Sequence, residues 1–324
     1  MKIFIPDDYH GVVSQLKCLK KLAQHEVHIL KEVAPAESRL ASLLKEAEVI
    51  VPIRERTEFS RSLLSLLPHL KFMAQTGRSA HSIDLQACDA LGIAVCSGSH
   101  ASPYTVAEHT WALIFAFARQ VAEDAQGMKQ GRWKPTFSTS LRGKTLGILG
   151  LGTIGEPVAA TGASLGMRVI TYGRQRTADR TRTLGYEMAA SREALFAESD
   201  VLSINLRLNE STRGCITTKE LSLMKPSALI VNTARAELIA EGALVEALRQ
   251  GRPGFAATDV YENEPVQHGN HPLLSLPNAL CTPHSAWLEA STYELYFGEA
   301  FDQVLDFAAG KPLKLLNHPA KRPE

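Results

Sequence analysis

Residues 145–155 read TLGILGLGTIG, a short apolar run followed by glycines at 150, 152 and 155. The spacing GxGxxG on its own marks many turns. Here a strand-like run enters it and a helix-like stretch through residue 165 leaves it. In that setting Gly150 permits a tight turn, Gly152 lets the backbone approach a pyrophosphate, and Gly155 lets helix and strand pack closely. The helix N-terminus, with Thr153 and Ile154 leading into it, offers unpaired N–H groups and a positive dipole end to phosphate. Pro157 falls in the first helical turn, where a missing N–H costs nothing. The stretch predicts a dinucleotide loop, against the plainer reading of a structural glycine turn.

Working outward, apolar runs at 168–172, 201–205, 228–232, 254–258 and 279–282 continue the series begun at 145–149. Amphipathic stretches separate them, and parallel neighbours need such helical crossovers. Six strands of this kind make a complete Rossmann-type sheet. Upstream, runs at 2–6, 26–30, 49–53, 70–74 and 93–96, with helix-like segments at 12–24 and 37–46, predict a smaller doubly wound sheet. At Ser102-Pro103 the pattern changes. Ser is a good N-cap and Pro suits the first helical position, so a long apolar helix is expected through Ala118. A last helix is expected over 291–308.

Composition narrows the classes of function. The 324 residues suggest roughly two domains. A hydrophobic fraction of 45% and a charged fraction of 21% are ordinary for a globular protein with its own core. Lys and Arg number 35 against 34 Asp and Glu, so binding that rests on phosphate-backbone attraction is not expected. The opening MKIFIPDD reads as a strand rather than a leader, and the apolar stretch 106–118 is too short to cross a bilayer. Five scattered cysteines, Cys18, Cys88, Cys96, Cys215 and Cys281, lack any CxxC and fit reduced thiols in a cytoplasmic protein. No metal site is expected.

Two further regions carry chemistry. The strand ending at Tyr172 lacks the acidic residue that usually meets the adenosine ribose, and Gly173, Arg174, Gln175 and Arg176 follow instead. A guanidinium can hold a 2′-phosphate in a fork that a carboxylate would repel. The reading leans to NADP over NAD, with solvated loop arginines as the alternative. Arg235, Glu264 and His284 each fall just after a strand of the second series. In an open α/β sheet that edge binds ligands. Hydride transfer to a 2-keto acid asks for such a trio. An imidazole, with a reference pKa of ~6.5, neutralises the oxygen at C2; a carboxylate orients it; a guanidinium grips the substrate carboxylate. Taken singly, each has a duller reading as a surface or turn residue. Ala234 and Asp259, also at strand ends, are counted with the cofactor residues.

The segments LRGKTLGILGLGTIG, MKPSALIVNTARAEL, ATDVYENEP and TPHSAW, with TGRSAHSIDL and TVAEHTWALI before them, resemble the D-isomer-specific 2-hydroxyacid dehydrogenases in family order. The resemblance implies an α/β protein of two doubly wound parallel-sheet domains, a Rossmann-type cofactor domain (101–289) inserted in a flavodoxin-like substrate domain (1–100 and 290–324). It carries the Arg role onto Arg235, the Glu role onto Glu264 and the general acid/base role onto His284. It also implies that Thr76, Gly77, Arg78 and Ser79 form a loop whose N–H groups meet the substrate carboxylate, and that subunits form a homodimer through the cofactor domain.

Three positions depart from the family pattern: Ala236 follows the Arg in place of Gly, Asn205-Leu206-Arg207 replaces a His-x-Pro run, and Arg78 replaces a small residue. Arg78 has two readings, contact with a larger or acidic substrate and a solvent-facing charge. Two rivals share the scaffold. Formate dehydrogenases have Gln where Glu264 stands, which argues against that class. Cofactor-sensing corepressors bind partner proteins, and the catalytic trio alone does not separate them from enzymes.

Overall fold

Runs of β-branched and apolar residues fold into two all-parallel sheets in the computed structural model, which describes residues 1–34, 36–99, 102–133, 137–266 and 268–320. The chain divides into two compact units, Met1–Ala101 with Leu288–Glu324, and Ser102–Trp287. The domain break expected at 100 and 101 lies outside the described residues.

The first unit holds β1 (Lys2–Ile5), β2 (Glu26–Ile29), β3 (Val49–Ile50), β4 (Phe72–Gln75) and β5 (Ala94–Ser97), in the order β2-β1-β3-β4-β5. That is the flavodoxin-like order 2-1-3-4-5. Every residue of β4 is buried, as expected of a parallel strand covered on both faces. The helix Ala290–Ala308 buries Tyr293, Phe297, Phe301 and Val304 in this unit, and Phe307 stacks on Phe72 with centroids 4.6 Å apart. Its N-cap is Glu289, whose carboxylate accepts from the Ser291 hydroxyl and from the N–H groups of Ser291 and Thr292 and is thereby drawn down to about 2.

The segment 12–24, expected as one helix, is two 3₁₀ turns, Val13–Gln15 and Lys17–Leu22, broken at an extended Leu16. Asp8 accepts from Val12 and Val13 N–H at 3.1 Å each, and Glu294, from the helix Ala290–Ala308, accepts the Lys17 and Cys18 N–H groups that an α-helix over 12–24 would give to its own carbonyls.

The second unit holds β6 (Thr145–Leu149), β7 (Arg168–Tyr172), β8 (Glu187–Met188), β9 (Val201–Ile204), β10 (Leu229–Asn232), β11 (Phe255–Thr258) and β12 (Ala279–Cys281). Their order, β12-β11-β10-β9-β6-β7-β8, reverses direction at β6, the topological switch point of a Rossmann-type sheet. The strand β8 was not expected; two residues are too few to display a period. The helix Pro103–Ala118 starts where the sequence suggests, but Ser102 does not cap it. Its Oγ accepts the Thr105 hydroxyl at 3.0 Å instead of a helix N–H. That helix buries Ala107, Trp111 and Ile114 against Val158 and Ala159, and Trp111 Nε1 donates to the Val158 carbonyl at 3.2 Å.

Candidate active site

Asn232, Thr258 and Cys281 are register partners on the neighbouring strands β10, β11 and β12, so the three exits lie side by side. Neighbouring strands run roughly 4.8 Å apart, which gathers whatever follows them. Arg235 follows β10. The Asn232 side chain shapes the turn, its Nδ2 donating to the Arg235 carbonyl at 2.9 Å and its Oδ1 accepting the Ala234 N–H at 3.0 Å. Arg235 itself is half-buried, with Nη1 2.6 Å from the Ala234 carbonyl.

Glu264 and His284 meet across the next two exits. His284 Nδ1 is hydrogen-bonded to Glu264 Oε2, and the other carboxylate oxygen accepts the Tyr261 N–H at 2.8 Å. Tyr261 also ties the two loops together, its hydroxyl donating to the Thr282 carbonyl at 2.9 Å; burial raises its pKa. His284 closes a tight turn around Pro283, its N–H donating to Thr282 O at 3.0 Å, and adopts φ of 50°. A non-glycine residue in the left-handed region needs surroundings that hold it there.

Asp259 supplies that hold. It is wholly buried, and its Oδ1 accepts from Thr282 Oγ1 at 2.5 Å and Ser285 N–H at 2.9 Å, while Oδ2 accepts from Ala286 N–H at 2.8 Å. His109 Nε2, from the helix Pro103–Ala118, lies 3.4 Å from Oδ1. Burial pushes this carboxyl up, but the donors from His109, Thr282, Ala286 and Ser285 outweigh it and leave it below the ordinary 3.8.

The glycine loop fits a dinucleotide phosphate group. Gly150 has φ of 94°, and a Cβ there would stand 2.9 Å from the Asn205 carbonyl. A Cβ at Gly155 would stand 2.3 Å from the Gly150 carbonyl, so helix and strand close only over a glycine. Gly152 differs: a Cβ there would meet nothing within 4 Å, which leaves the backbone open to an incoming group. Gly152, Thr153 and Ile154 reach the surface ahead of the helix Gly155–Ser164, and Arg180 pairs with Glu156 in its first turn at 2.8 Å. Past β7, Gly173 packs on Thr177, and Arg174 and Arg176 are both exposed. Arg174 Nη2 donates to Ser211 Oγ at 2.7 Å.

The loop Thr76, Gly77, Arg78 and Ser79 follows β4 in the first unit. Thr76 is buried, accepting the Arg54 N–H and donating to the Pro52 carbonyl, each at 2.8 Å. Gly77 has φ of 76°, and the Arg54 guanidinium lies across it, 2.8 Å from where a Cβ would be. Arg78 is exposed, and Ser79 Oγ is a buried hydroxyl without a hydrogen-bond partner. Sequence reasoning missed Arg54, His109, Thr110, Thr233, Tyr261 and Thr282 as residues of this site. The available signals were a His-Thr pair inside an apolar helix and an Arg-Glu-Arg run after a strand.

Residues 111–286 match the family described as "D-isomer specific 2-hydroxyacid dehydrogenase, NAD binding domain". A glyoxylate reductase of Aeropyrum pernix is 38% identical over 312 residues, covering 93% of this chain and 92% of that one. A D-3-phosphoglycerate dehydrogenase of Methanocaldococcus jannaschii is 34% identical over 91% of this chain, which spans 54% of that enzyme's length. Among solved structures, a phosphoglycerate oxidoreductase from Vibrio cholerae O395 superposes with a TM-score of 0.92 at 42% identity, covering 96% of this chain and 99% of the other. The chain belongs to the D-isomer-specific 2-hydroxyacid dehydrogenase family. At the level of that family it is an NAD(P)-dependent oxidoreductase acting on 2-hydroxy and 2-keto acids. Among the described residues, no helix is long and apolar enough to cross a membrane.

Proposed function

We propose that the chain interconverts a small D-2-hydroxy acid and its 2-keto acid, with His284 as the general acid/base. The observation that carries this reading is the Glu264–His284 pair. With Nδ1 engaged by the carboxylate, Nε2 is the ring nitrogen left to exchange a proton with substrate. A bound nicotinamide dinucleotide supplies or accepts the hydride at C2. In reduction, Nε2 gives its proton to the C2 oxygen, and Glu264 stabilises the imidazolium that precedes the transfer. Arg235 grips the substrate carboxylate and polarises the carbonyl.

In this reading the dinucleotide lies along Gly150, Gly152, Thr153, Ile154 and Gly155, with Gly173, Arg174 and Arg176 at its adenosine end and Ala234 and Asp259 at its nicotinamide end. We favour NADP(H). Arg174 and Arg176 stand at the start of the helix Gln175–Leu184, whose first turn contains no acidic residue, so dipole and guanidinium charges act together on a 2′-phosphate. A panel of glyoxylate, hydroxypyruvate, phosphohydroxypyruvate and bulkier 2-keto acids, run with NADPH and with NADH, tests both parts. Turnover of one of them with a preference for NADPH is expected. Cofactor binding without turnover of any member would overturn the enzyme reading, and a strong preference for NADH would remove the cofactor reading alone.

We also place the chain as a cytoplasmic homodimer without a nucleic-acid partner. Support comes from five unpaired cysteines, a formal charge of +1 and a run of exposed apolar side chains, Val121, Met128, Trp133 and Phe137, in the second unit.

A further inference from the structure

Two consecutive residues of the helix Pro103–Ala118 reach the loops that carry the catalytic candidates. Thr110, fully buried, shares a hydrogen bond of 2.8 Å with Thr233, two residues before Arg235. His109 Nε2 lies 3.1 Å from the hydroxyl of Thr282, two residues before His284. The Thr282 hydroxyl proton is already given to Asp259 at 2.5 Å, so its oxygen can only accept, and His109 Nε2 must be the donor. His109 therefore reaches Asp259 through Thr282, and its Nε2 also stands 3.4 Å from Oδ1 of the same carboxylate. The same carboxylate takes the N–H groups of Ser285 and Ala286, the two residues after His284. His284, at φ of 50°, is bracketed on both sides by groups tied to one buried anion.

We propose that His109 is a positioning residue that fixes the His284 turn through Thr282 and Asp259, while Thr110 does the same for the Arg235 turn through Thr233. The inference rests on the roles given above to His284 and Arg235. Hydrogen bonds inside a protein polarise one another, and catalytic geometry tolerates displacements of only a fraction of an ångström. Loss of the donor should therefore appear in turnover rather than in cofactor binding.

The test compares His109→Leu with His109→Gln, whose amide nitrogen can donate where Nε2 does. His109→Leu should lower kcat by about tenfold or more and leave the Kd for NADPH within about twofold. His109→Gln should recover most of the loss. A packing role would instead favour Leu, so equal kcat in both variants, or Gln poorer than Leu, overturns the proposal. Should His109→Leu fail to fold, Thr282→Val against Thr282→Ser reads the same chain, with loss expected in the first and recovery in the second. His284→Ala is assayed beside them. If it retains turnover, the assignment of the acid fails; if it loses turnover while His109→Leu and Thr282→Val keep theirs, only the positioning proposal fails.

Discussion

The three glycines of the 150–155 loop do different work, and single substitutions separate it. At Gly155 a methyl group would run into the Gly150 carbonyl at 2.3 Å, so Gly155→Ala should destabilise the fold by about 2 kcal/mol or more. At Gly152 the same methyl meets nothing within 4 Å. Gly152→Ala should leave Tm nearly unchanged while weakening dinucleotide binding at least about tenfold, because it obstructs a bound phosphate and not the protein. Thermal unfolding and cofactor titration on both variants check the pair; a Gly152→Ala protein with intact affinity would deny the loop its phosphate. Asp259 makes a pH prediction. Its carboxyl is held below the ordinary 3.8, so it contributes stability that is complete above that value and lost as pH falls through its lower value in the fold. Between about pH 5 and 2, Tm of the wild type should fall toward that of Asp259→Asn; a constant gap across that window would contradict the assigned shift.

At the scale of elements, the strands were the most legible part of the sequence. β6 and β7 occupy the apolar runs 145–149 and 168–172, because buried parallel strands need continuous apolar side chains on both faces. What stayed hidden depended on distant partners. The 12–24 segment carries helix-like spacing, yet Glu294 takes the Lys17 and Cys18 N–H groups, and no local pattern announces that. Arg235, Glu264 and His284 could be picked out because each follows a strand. Thr282 and Tyr261 also follow strands, but what marks them out is partners 23 and 21 residues away, and His109 sits inside a helix with its partner 173 residues off. The proposed cofactor preference is tested at the helix Gln175–Leu184. Replacing Arg174 and Arg176 together by Ser should lower the NADPH-to-NADH preference in kcat/KM by about tenfold or more, chiefly through KM for NADPH. An unchanged preference would show both arginines to be solvated loop charges.

For the whole molecule, the family supplies hydride chemistry, and the side chains decide who carries the proton and the substrate carboxylate. Oligomeric state belongs to this scale too. Trp133 and Phe137 are almost wholly exposed, which is unusual for large aromatics on a monomer. Sedimentation of the wild type should give a dimer, and Trp133→Ser with Phe137→Ser should shift it toward monomer; a wild type that is monomeric at micromolar concentration contradicts the dimer. The central claim concerns the imidazole that exchanges the proton. Its most direct measurement is steady-state reduction of the best 2-keto acid by His284→Ala and Glu264→Gln beside the wild type, across pH. His284→Ala should lose about a thousandfold or more in kcat with cofactor affinity intact. Glu264→Gln should lose less, because the amide oxygen can still accept from Nδ1 and hold the ring in place. Near-normal turnover in His284→Ala would contradict the account.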